Sequence, residues 1–364
     1  MVLAVIVPTY NERENVEEVV RRLRQCLGPL AWEVIFVDDD SPDGTAGEVR
    51  RIAARDPHVR CLQRIGRRGL SSACIEGMLA TAAPYLAVMD ADLQHDETLL
   101  PRMLDILQQG ETDIVVGSRY VAGGGVGDWK QSRIRISRIA NSLSRAIFRA
   151  DLSDRMSGFF MVRRDAFEAA ARNLSGVGFK ILLDLFASSP RPLRYRELPY
   201  KFRRRHAGVS KLDAQAAWAY LMLLLDKLFG RFLPVRMTSF LLVGGFGVLV
   251  HLAVLVAVFK GAGQSFVASQ WTATLVAMVS NFALNNALTY RDVRLRGWRW
   301  FRGLISFVLA CGIGAVANVG VASYLFEQHT QWTLSALAGV AVSTVWNYTI
   351  TSLYTWNSPA APRA

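Results

Sequence analysis

The sequence predicts an α/β sheet domain followed by an all-α membrane domain with four spans. In the first half of the chain, short apolar runs alternate with segments of helical period, as they do in α/β sheets. Beyond Met237 ionised residues become rare, and four long apolar segments follow one another. We place the sheet domain at residues 1–212, juxtamembrane helices at 213–236 and the membrane domain at 237–358.

Apolar runs rich in valine and isoleucine, bounded by turn residues, predict the buried strands of the sheet. These runs are Leu3–Val7, Val34–Val37, Val59–Leu62, Leu86–Met89 and Ile114–Val116. The segments between them predict helices at Glu14–Leu27, Thr45–Arg55, Leu70–Ala82 and Glu97–Gln109. Polar residues follow three of the strands, at 11–12, 38–40 and 90–92. Because open α/β sheets bind ligands beyond the carboxyl ends of their strands, we expect these residues to converge on one cleft.

The segment Asp213–Leu233 predicts an amphipathic helix, because Trp218, Leu221 and Leu225 recur at helical spacing. A helix facing the protein core would give the same stripe. The position of Asp213–Leu233 just before a membrane segment favours a helix at the membrane interface.

Each of the four apolar segments is about as long as the ~20 residues that cross a bilayer. They are Phe240–Phe259, Phe266–Tyr290, Leu304–Phe326 and Trp332–Trp356. The loop Arg291–Arg302 contains five arginines. By the positive-inside rule this loop, the sheet domain and both termini are cytoplasmic, which predicts a multi-pass protein of the plasma membrane.

The membrane segments contain a duplication. An offset of 67 aligns Phe240–Gly247 with Phe307–Gly314, and an offset of 66 aligns Asn281–Tyr290 with Asn347–Trp356. Each unit has two spans, so we predict parallel repeats at 240–290 and 307–356, related by a pseudo-two-fold axis along the membrane normal. Polar residues inside these spans should face the bundle interior. They are His251, Asn281, Asn285, Asn318 and Asn347.

The formal net charge of +12 favours anionic partners. No nucleic-acid-binding module is recognisable, and the basic residues stand beside apolar segments. We therefore expect a lipid bilayer and phosphate groups as partners, and no nucleic acid.

The segment Asp90-Ala91-Asp92-Leu93-Gln94 follows the predicted strand Leu86–Met89. In an extended segment Asp90, Asp92 and Gln94 point to one side, which gathers hard oxygen ligands. A divalent cation held there can neutralise a diphosphate leaving group.

Together with two other strand-end motifs, Pro8–Glu12 and Val37–Thr45, this segment identifies a family. The sequence resembles the inverting glycosyltransferases of the GT-A (Rossmann-like) fold, family 2, and most closely the dolichyl-phosphate mannose synthases. The resemblance spans roughly Val2–Leu212, and the membrane half resembles the four-span GtrA-like domain. Its further motifs are Met89–His95, Gly117–Tyr120, Gly123–Gly127, Trp129, Arg133–Ser137, Asp154–Phe160 and Arg205–Lys211. Arg155 departs from the family, which usually has proline there.

The resemblance implies transfer of mannose from GDP-mannose to a polyprenyl (dolichyl) phosphate, with inversion to a β-linked product. It implies Mg²⁺ or Mn²⁺ bound by Asp92 and Gln94, and an acceptor phosphate bound by Arg119, Arg133 and Ser137. The implied donor-binding residues are Pro8, Tyr10, Glu12, Val37, Asp39, Asp90, Ala91, Asp92, Gln94, Lys180, Arg205 and Lys211. We assign catalysis to Asp92, Arg119, Arg205 and Lys211 through charge and orientation, because a phosphate dianion needs no general base.

Several alternatives stay open. The donor could be UDP-glucose or another UDP-sugar, since Val37 and Asp39 do not by themselves determine which nucleotide base is bound. The membrane half could act as a lipid-sugar flippase, although a membrane anchor is the simpler interpretation. We interpret Arg203 and Arg204 as part of a solvated basic loop, and His95 as a bystander of the adjacent motif. No sequence feature indicates an oligomeric state.

Overall fold

The structure is a computed structural model that describes residues 1–126, 151–176, 180–203, 214–229, 233–329 and 331–356. The chain divides into two compact units, Met1–Phe229 and Gly230–Ala364.

The first unit is built on a mixed seven-stranded sheet with the order β3-β2-β1-β4-β6-β5-β7. Its strands are β1 (Leu3–Thr9), β2 (Trp32–Asp38), β3 (Val59–Gln63), β4 (Tyr85–Val88), β5 (Ile114–Ser118), β6 (Phe160–Arg163) and β7 (Tyr195–Pro199). β1 pairs in parallel with β2 and β4, and β2 pairs in parallel with β3. β6 runs antiparallel between β4 and β5, and β5 pairs in parallel with β7.

Helices cover both faces of this sheet. The helices of the first unit are α1 (Arg13–Leu27), α2 (Thr45–Ala53), α3 (Leu70–Leu79), α4 (Leu100–Gln108), α5 (Arg164–Ala171), α6 (Ile181–Ser188) and α7 (Ala214–Phe229). Alternate residues of β1 face opposite cores: Leu3 and Val5 pack with α1 and α4, whereas Ala4 and Ile6 pack with α3, α5 and α6. The period-two alternation of a strand therefore produces a three-layer α/β/α unit.

The five predicted strands and four predicted helices of the sheet domain are confirmed, with ends shifted by a few residues. Two strands, β6 and β7, and two helices, α5 and α6, were not predicted. β6 has only four residues, and β7 contains two adjacent charged residues, Arg196 and Glu197, and ends at Pro199. Neither strand has the long apolar run that marks the central parallel strands.

The helix α7 packs on the first unit by a different face from the predicted stripe. Leu223 and Leu224 are buried in the core that contains Ile6 of β1. Leu221, a member of the predicted stripe, is 40% exposed.

The second unit is helical in the residues that the structure describes. Its helices are α8 (Val235–Val256), α9 (Phe266–Leu284), α10 (Trp298–Glu327) and α11 (Trp332–Ile350). Turns of π-helix extend three of them, at Ala257–Gly261, Asn285–Thr289 and Thr351–Thr355. By length and composition, two helical stretches in the described residues can cross a membrane, Val235–Gly261 and Trp298–Glu327.

Contacts in the second unit recur at intervals of 66 or 67 residues. Ser239 and Thr289 share a hydrogen bond of 2.7 Å between their hydroxyl groups, and Ser306 and Thr355 share one of 2.9 Å. The amides of Asn281 and Asn347 lie against the equivalent glycines, Gly247 and Gly314.

The expected inward orientation is confirmed for the asparagines of the predicted spans. Asn281 and Asn347 face neighbouring helices at these glycines, and Asn318 lies against Gly339 in the same way. Asn285 is 1% exposed. The amides of Asn281, Asn318 and Asn347 thus face another helix, whereas the buried Asn285 amide donates to the carbonyl of Asn281 and accepts from the hydroxyl of Thr289.

Candidate active site

The carboxyl ends of five strands meet at one edge of the sheet. β1, β2, β4, β5 and β7 all run in the same direction, since β6 is antiparallel to both β4 and β5. The residues that follow them therefore lie at one edge: Tyr10, Asp39, Asp90, Arg119 and Tyr200. The strand-end motifs thus lie at one sheet edge as expected, and their convergence on one cleft stays a prediction.

The ends of β1 and β2 are joined by a buried carboxylate. Asp38 is fully buried and accepts hydrogen bonds from Thr9 Oγ1 (3.2 Å) and from the amide of Ser41 (2.9 Å). Asn11 and Asp40, just beyond these strands, have left-handed backbones with φ of 57° and 56°. Side-chain bonding by Asp38 thus supports a turn conformation that non-glycine residues seldom adopt and that is concentrated at functional sites.

Asp39 has a fixed orientation at the end of β2. Its carboxylate accepts hydrogen bonds from Arg64 Nη1 and from the amide of Gly69, both at 2.7 Å. Arg64 is 2% exposed and also donates to Ser72 Oγ at 2.7 Å. Burial raises the pKa of Asp39, while the Gly69 amide and the Arg64 guanidinium oppose that rise. The result is a preoriented hydrogen-bond acceptor at the sheet edge.

The segment after β4 turns sharply and is not extended, so the expectation of an extended segment was wrong. Leu93 has a φ of 62°, and Asp92 Oδ1 accepts a hydrogen bond from the amide of Gln94 at 3.2 Å. An aspartate that binds the backbone two residues ahead forms a local turn in place of a strand. The turn still keeps Asp90, Asp92 and Gln94 within one short segment at the sheet edge.

Gln94 connects this turn to the residues that follow β7. Its Nε2 donates to the carbonyl of Arg203 at 3.0 Å, and its own carbonyl accepts from the amide of Arg203 at 3.0 Å. The Arg203 guanidinium binds Asp96 at 2.6 Å and Glu97 at 2.7 Å. The interpretation of Arg203 as part of a solvated loop was therefore wrong, because its charge is paired within the fold.

His95 lies beneath the turn and is 2% exposed. Its Nδ1 accepts a hydrogen bond from the amide of Asp90 at 3.1 Å, and its ring stacks on Phe159 with centroids 5.2 Å apart. Burial lowers the pKa of His95 to about 4, so the imidazole is neutral at neutral pH.

Arg119, at the end of β5, is paired with a buried aspartate. Its Nε and Nη2 donate to the two carboxylate oxygens of Asp154 at 2.7 and 2.8 Å, and its amide donates to Asp154 at 3.1 Å. Burial lowers the pKa of Arg119, but the Asp154 carboxylate outweighs this effect and the net pKa is raised. Glu197 Oε1 in turn accepts the amide of Asp154 at 3.1 Å. The guanidinium is thereby fixed as a permanent cation near the sheet edge.

The donor set at the end of β4 fits a divalent cation. It offers two carboxylates, Asp90 and Asp92, and the amide oxygen of Gln94, whose orientation is set by the bond from Nε2 to Arg203. In the part of the chain that the structure describes, no group of three or more His, Cys, Asp or Glu residues forms a metal site. A partial set of this kind matches Mg²⁺, which binds through one or two carboxylates, with substrate phosphates and water completing its shell.

The other predicted donor-binding residues take diverse positions. Tyr10 lies beneath the guanidinium of Arg68, with 4.6 Å between Cζ and the ring centroid, and Glu12 accepts a hydrogen bond from Asn15. Lys180 Nζ donates to the carbonyl of Met156 at 3.1 Å. The side chains of Val37 and Ala91 are buried in the two cores, so only their main chains could reach a ligand.

Pro8 lies within β1 and pairs with Val37 of β2. Four predicted site residues, Arg133, Ser137, Arg205 and Lys211, lie outside the described residues.

Sequence reasoning missed three residues of this site. Asp154 stood in a recognised motif, but its partner Arg119 is 35 positions away. The contact of His95 with the amide of Asp90 is not apparent from its place beside a motif, and Arg64 stands alone after β3 with no motif around it. Their roles depend on contacts across the sheet edge, which spacing along the chain does not reveal.

Comparison with known proteins agrees with this architecture. Residues 4–170 match the family model "Glycosyl transferase family 2", and residues 239–356 match "GtrA/DPMS, transmembrane domain". The Dolichol-phosphate mannosyltransferase of Pyrococcus furiosus is 34% identical over 358 residues, covering 98% of this chain and 99% of that protein.

Two relatives match a shorter part of the chain. The Dolichol-phosphate mannosyltransferase of Saccharomyces cerevisiae is 37% identical and covers 60% of this chain and 84% of its own length. The Polyprenol monophosphomannose synthase of Mycolicibacterium smegmatis is 35% identical and covers 57% and 80%. With a relative at 34% identity across nearly its whole length, a GT-A type sheet domain and a GtrA/DPMS transmembrane domain, this chain belongs to the dolichol-phosphate mannosyltransferase family of glycosyltransferases.

Proposed function

We propose that this enzyme transfers mannose from GDP-mannose to a polyprenyl (dolichyl) phosphate, with inversion at the anomeric carbon. The observation that carries the proposal is the 34% identity to the Pyrococcus furiosus mannosyltransferase over 98% of this chain. The oxygen-rich turn after β4 and the preoriented Asp39 carboxylate supply the polar groups that a nucleotide sugar requires.

The reaction forms one bond and breaks one. A phosphate oxygen of the lipid attacks the anomeric carbon, and the bond from that carbon to the β-phosphate oxygen of GDP breaks, with its electron pair leaving on GDP. The lipid phosphate is largely dianionic at neutral pH and needs no general base. Two anionic groups must meet, so the site has to supply positive charge and orientation.

The chain supplies these through fixed groups. Arg119, Arg133 and Ser137 are the proposed acceptor-phosphate residues, and Arg119 is held by Asp154 so that it loses little freedom when an anion binds. Asp92, Arg119, Arg205 and Lys211 are the proposed catalytic residues. Asp92 and Gln94 are the proposed ligands of Mg²⁺ or Mn²⁺, which when bound neutralises the departing diphosphate.

The donor is proposed to lie across the ends of β1, β2 and β4. The side chains of Tyr10, Glu12, Asp39 and Asp90 and the main chains of Val37 and Ala91 border that edge. The remaining proposed donor residues are Pro8, Asp92, Gln94, Lys180, Arg205 and Lys211.

For the membrane half we propose four spans in two parallel repeats, with the sheet domain and both termini on the cytoplasmic side of the plasma membrane. The match to a GtrA/DPMS transmembrane domain supports membrane insertion. The contacts that recur at 66 or 67 residues support the repeats. The five arginines of 291–302 support the orientation. We favour an anchoring role for this half.

Incubation of the purified chain with polyprenyl phosphate and Mn²⁺ tests the proposal. GDP-mannose and UDP-glucose are supplied in separate reactions, and the mass of the lipid is measured. Addition of one hexose from GDP-mannose alone, lost with EDTA, is the expected result. Transfer from UDP-glucose alone would show that the donor is a UDP-sugar and not GDP-mannose. No transfer from either donor would overturn the proposal.

A further inference from the structure

His95 contacts both ends of one residue in the proposed diphosphate-binding turn. Its Nδ1 accepts the hydrogen bond from the amide of Asp90 at 3.1 Å, and its Nε2 lies 3.8 Å from Asp90 Oδ2. A ring nitrogen that accepts from an amide carries no proton, so the ring proton lies on Nε2, on the side of the Asp90 carboxylate. The bond joins residues 90 and 95, and Asp92 and Gln94 lie within the loop that it closes.

Aromatic side chains fix the plane of this imidazole. Phe159 stacks on it at an interplanar angle of 12°. Tyr200 and Phe202 meet its ring edge-on, each with centroids 5.9 Å apart. These three residues come from the segments before β6 and after β7, so the position of the ring is set by the sheet rather than by the turn.

We propose that His95 is a positioning residue that holds the Asp90–Gln94 turn in the shape that binds the donor diphosphate and its divalent cation. The inference rests on the proposed function. His95 acts through the amide of Asp90 and touches neither substrate nor the reacting atoms. A residue that orients metal ligands in this way typically accounts for about 10–100-fold in metal affinity or activity.

Two substitutions separate the hydrogen bond from the ring. His95→Phe keeps an aromatic ring against Phe159 but removes the acceptor for the Asp90 amide. His95→Asn removes the ring, but its Oδ1 can take the place of Nδ1 as the acceptor.

The chain offers a matched control at the opposite edge of the sheet. His58 also bonds through Nδ1, to the carbonyl of Trp32 at 2.7 Å, and also stacks on a ring, that of Trp32 at 4.6 Å. It lies directly before β3, away from the carboxyl ends of the strands. His58→Phe therefore repeats the same change outside the site.

The experiment measures Mn²⁺ binding to the full chain in the presence of GDP, by electron paramagnetic resonance of the free ion. It also measures KM for GDP-mannose and for polyprenyl phosphate, with thermal unfolding as a check on folding. We expect His95→Phe to weaken Mn²⁺ binding and to raise the GDP-mannose KM by about tenfold or more, with the lipid KM within about twofold. His95→Asn should recover most of the loss, and His58→Phe should match the wild type.

Wild-type Mn²⁺ affinity in His95→Phe would overturn the inference, and a loss confined to His95→Asn would assign the effect to the ring. Equal losses in the two variants would also overturn it, because restoring the acceptor would then have recovered nothing. If His95→Phe fails to fold, the Asn variant decides: near-wild-type Mn²⁺ affinity supports the hydrogen bond, and a loss above about tenfold overturns it. An inactive wild type that still binds Mn²⁺ with GDP would count against the proposed function alone.

Discussion

Gln94 and Arg203 bind each other through two hydrogen bonds, although 109 positions separate them. The side-chain amide of Gln94 donates to the carbonyl of Arg203, and the main-chain amide of Arg203 donates to the carbonyl of Gln94, both at 3.0 Å. The proposed metal-binding turn is thus attached to the segment after β7. The side-chain bond requires an N–H donor at position 94, and the proposed cation requires a side-chain oxygen there. Glutamine provides both groups, whereas an ionised glutamate provides only oxygens.

Gln94→Glu should lower transfer even though it supplies an additional carboxylate for the cation. The new oxygen would face the carbonyl oxygen of Arg203 and leave that partly buried acceptor without its donor, at a cost of about 1 kcal/mol or more. We expect kcat/KM for GDP-mannose to fall by about fivefold or more. Steady-state kinetics of the purified chain measures this, and an unchanged or increased kcat/KM would contradict the role of the Arg203 contact.

Asp92→Ala should abolish metal-dependent transfer while leaving the fold intact. Asp92 is 6% exposed, lies in a turn outside the strands, and would lose one acceptor for the Gln94 amide together with the proposed cation ligand. Product formation with and without Mn²⁺, and thermal unfolding of the same preparation, measure the two effects. Retained turnover in this variant would remove Asp92 from the mechanism.

Asp154→Asn should destabilise the first unit strongly. Asp154 is fully buried and forms the charged pair with Arg119, which is 8% exposed. Removing one charge of a buried pair leaves the other uncompensated, which typically costs about 3–5 kcal/mol.

Asp151→Asn is the matched control, since its side chain is fully exposed and its contact with Arg155 is long, at 3.4 Å. Because the Asp151 carboxylate is surrounded by solvent, its charge is screened and Asp151→Asn should keep nearly the wild-type stability. Chemical denaturation of both variants measures the difference, and equal stabilities would show that the Arg119–Asp154 pair contributes little.

The sequence predicted the central sheet well because β1, β2 and β4 are buried on both faces and appear as continuous apolar runs. The same runs placed Asp39 and Asp90 at one edge. Asp154 and Arg203 were not assigned roles, because each pairs with a residue brought near only by the order β4-β6-β5-β7. The turn at Leu93 was missed since leucine rarely adopts a positive φ, so its residue type gives no indication of a turn.

Asp113 should make stability depend on pH below about 4. Burial acts to raise its pKa, but hydrogen bonds from Arg194 and Arg191 hold the pKa well below its usual value of 3.8. Because the folded-state pKa is depressed, the stabilisation is present above the unfolded-state pKa of about 3.9 and is lost as the pH falls through the lower folded-state value.

Asp113→Asn should therefore be less stable than the wild type at pH 7 by about 1–3 kcal/mol and should lack this acid-dependent loss. Asp105→Asn, at an exposed position of α4, should keep the wild-type pH profile. Unfolding free energies between pH 7 and pH 3 measure the profiles. Parallel profiles for Asp113→Asn and the wild type would show that the two arginines do not shift this carboxyl.

Gly247→Ala and Gly314→Ala should destabilise the second unit to a similar extent, because the two glycines occupy equivalent places in the duplicated sequence. A Cβ at Gly247 would overlap the amide of Asn281, and a Cβ at Gly314 would overlap the amide of Asn347. Overpacking of this kind typically costs about 1–3 kcal/mol.

Each of these glycines has a control two residues earlier on the same helix. A Cβ at Gly245 or at Gly312 would meet no atom within 4 Å, so alanine there changes helix propensity but not packing. Thermal unfolding of the four variants in one detergent therefore separates the effect of overpacking from the effect of replacing glycine by alanine, in both repeats. A loss of stability at 247 and 314 alone is the expected result, since small residues let helices approach where a polar amide crosses between them. A loss at only one of the two positions would mean that the equivalent contacts have diverged in strength, and the proposed two-fold relation would then not extend to helix packing.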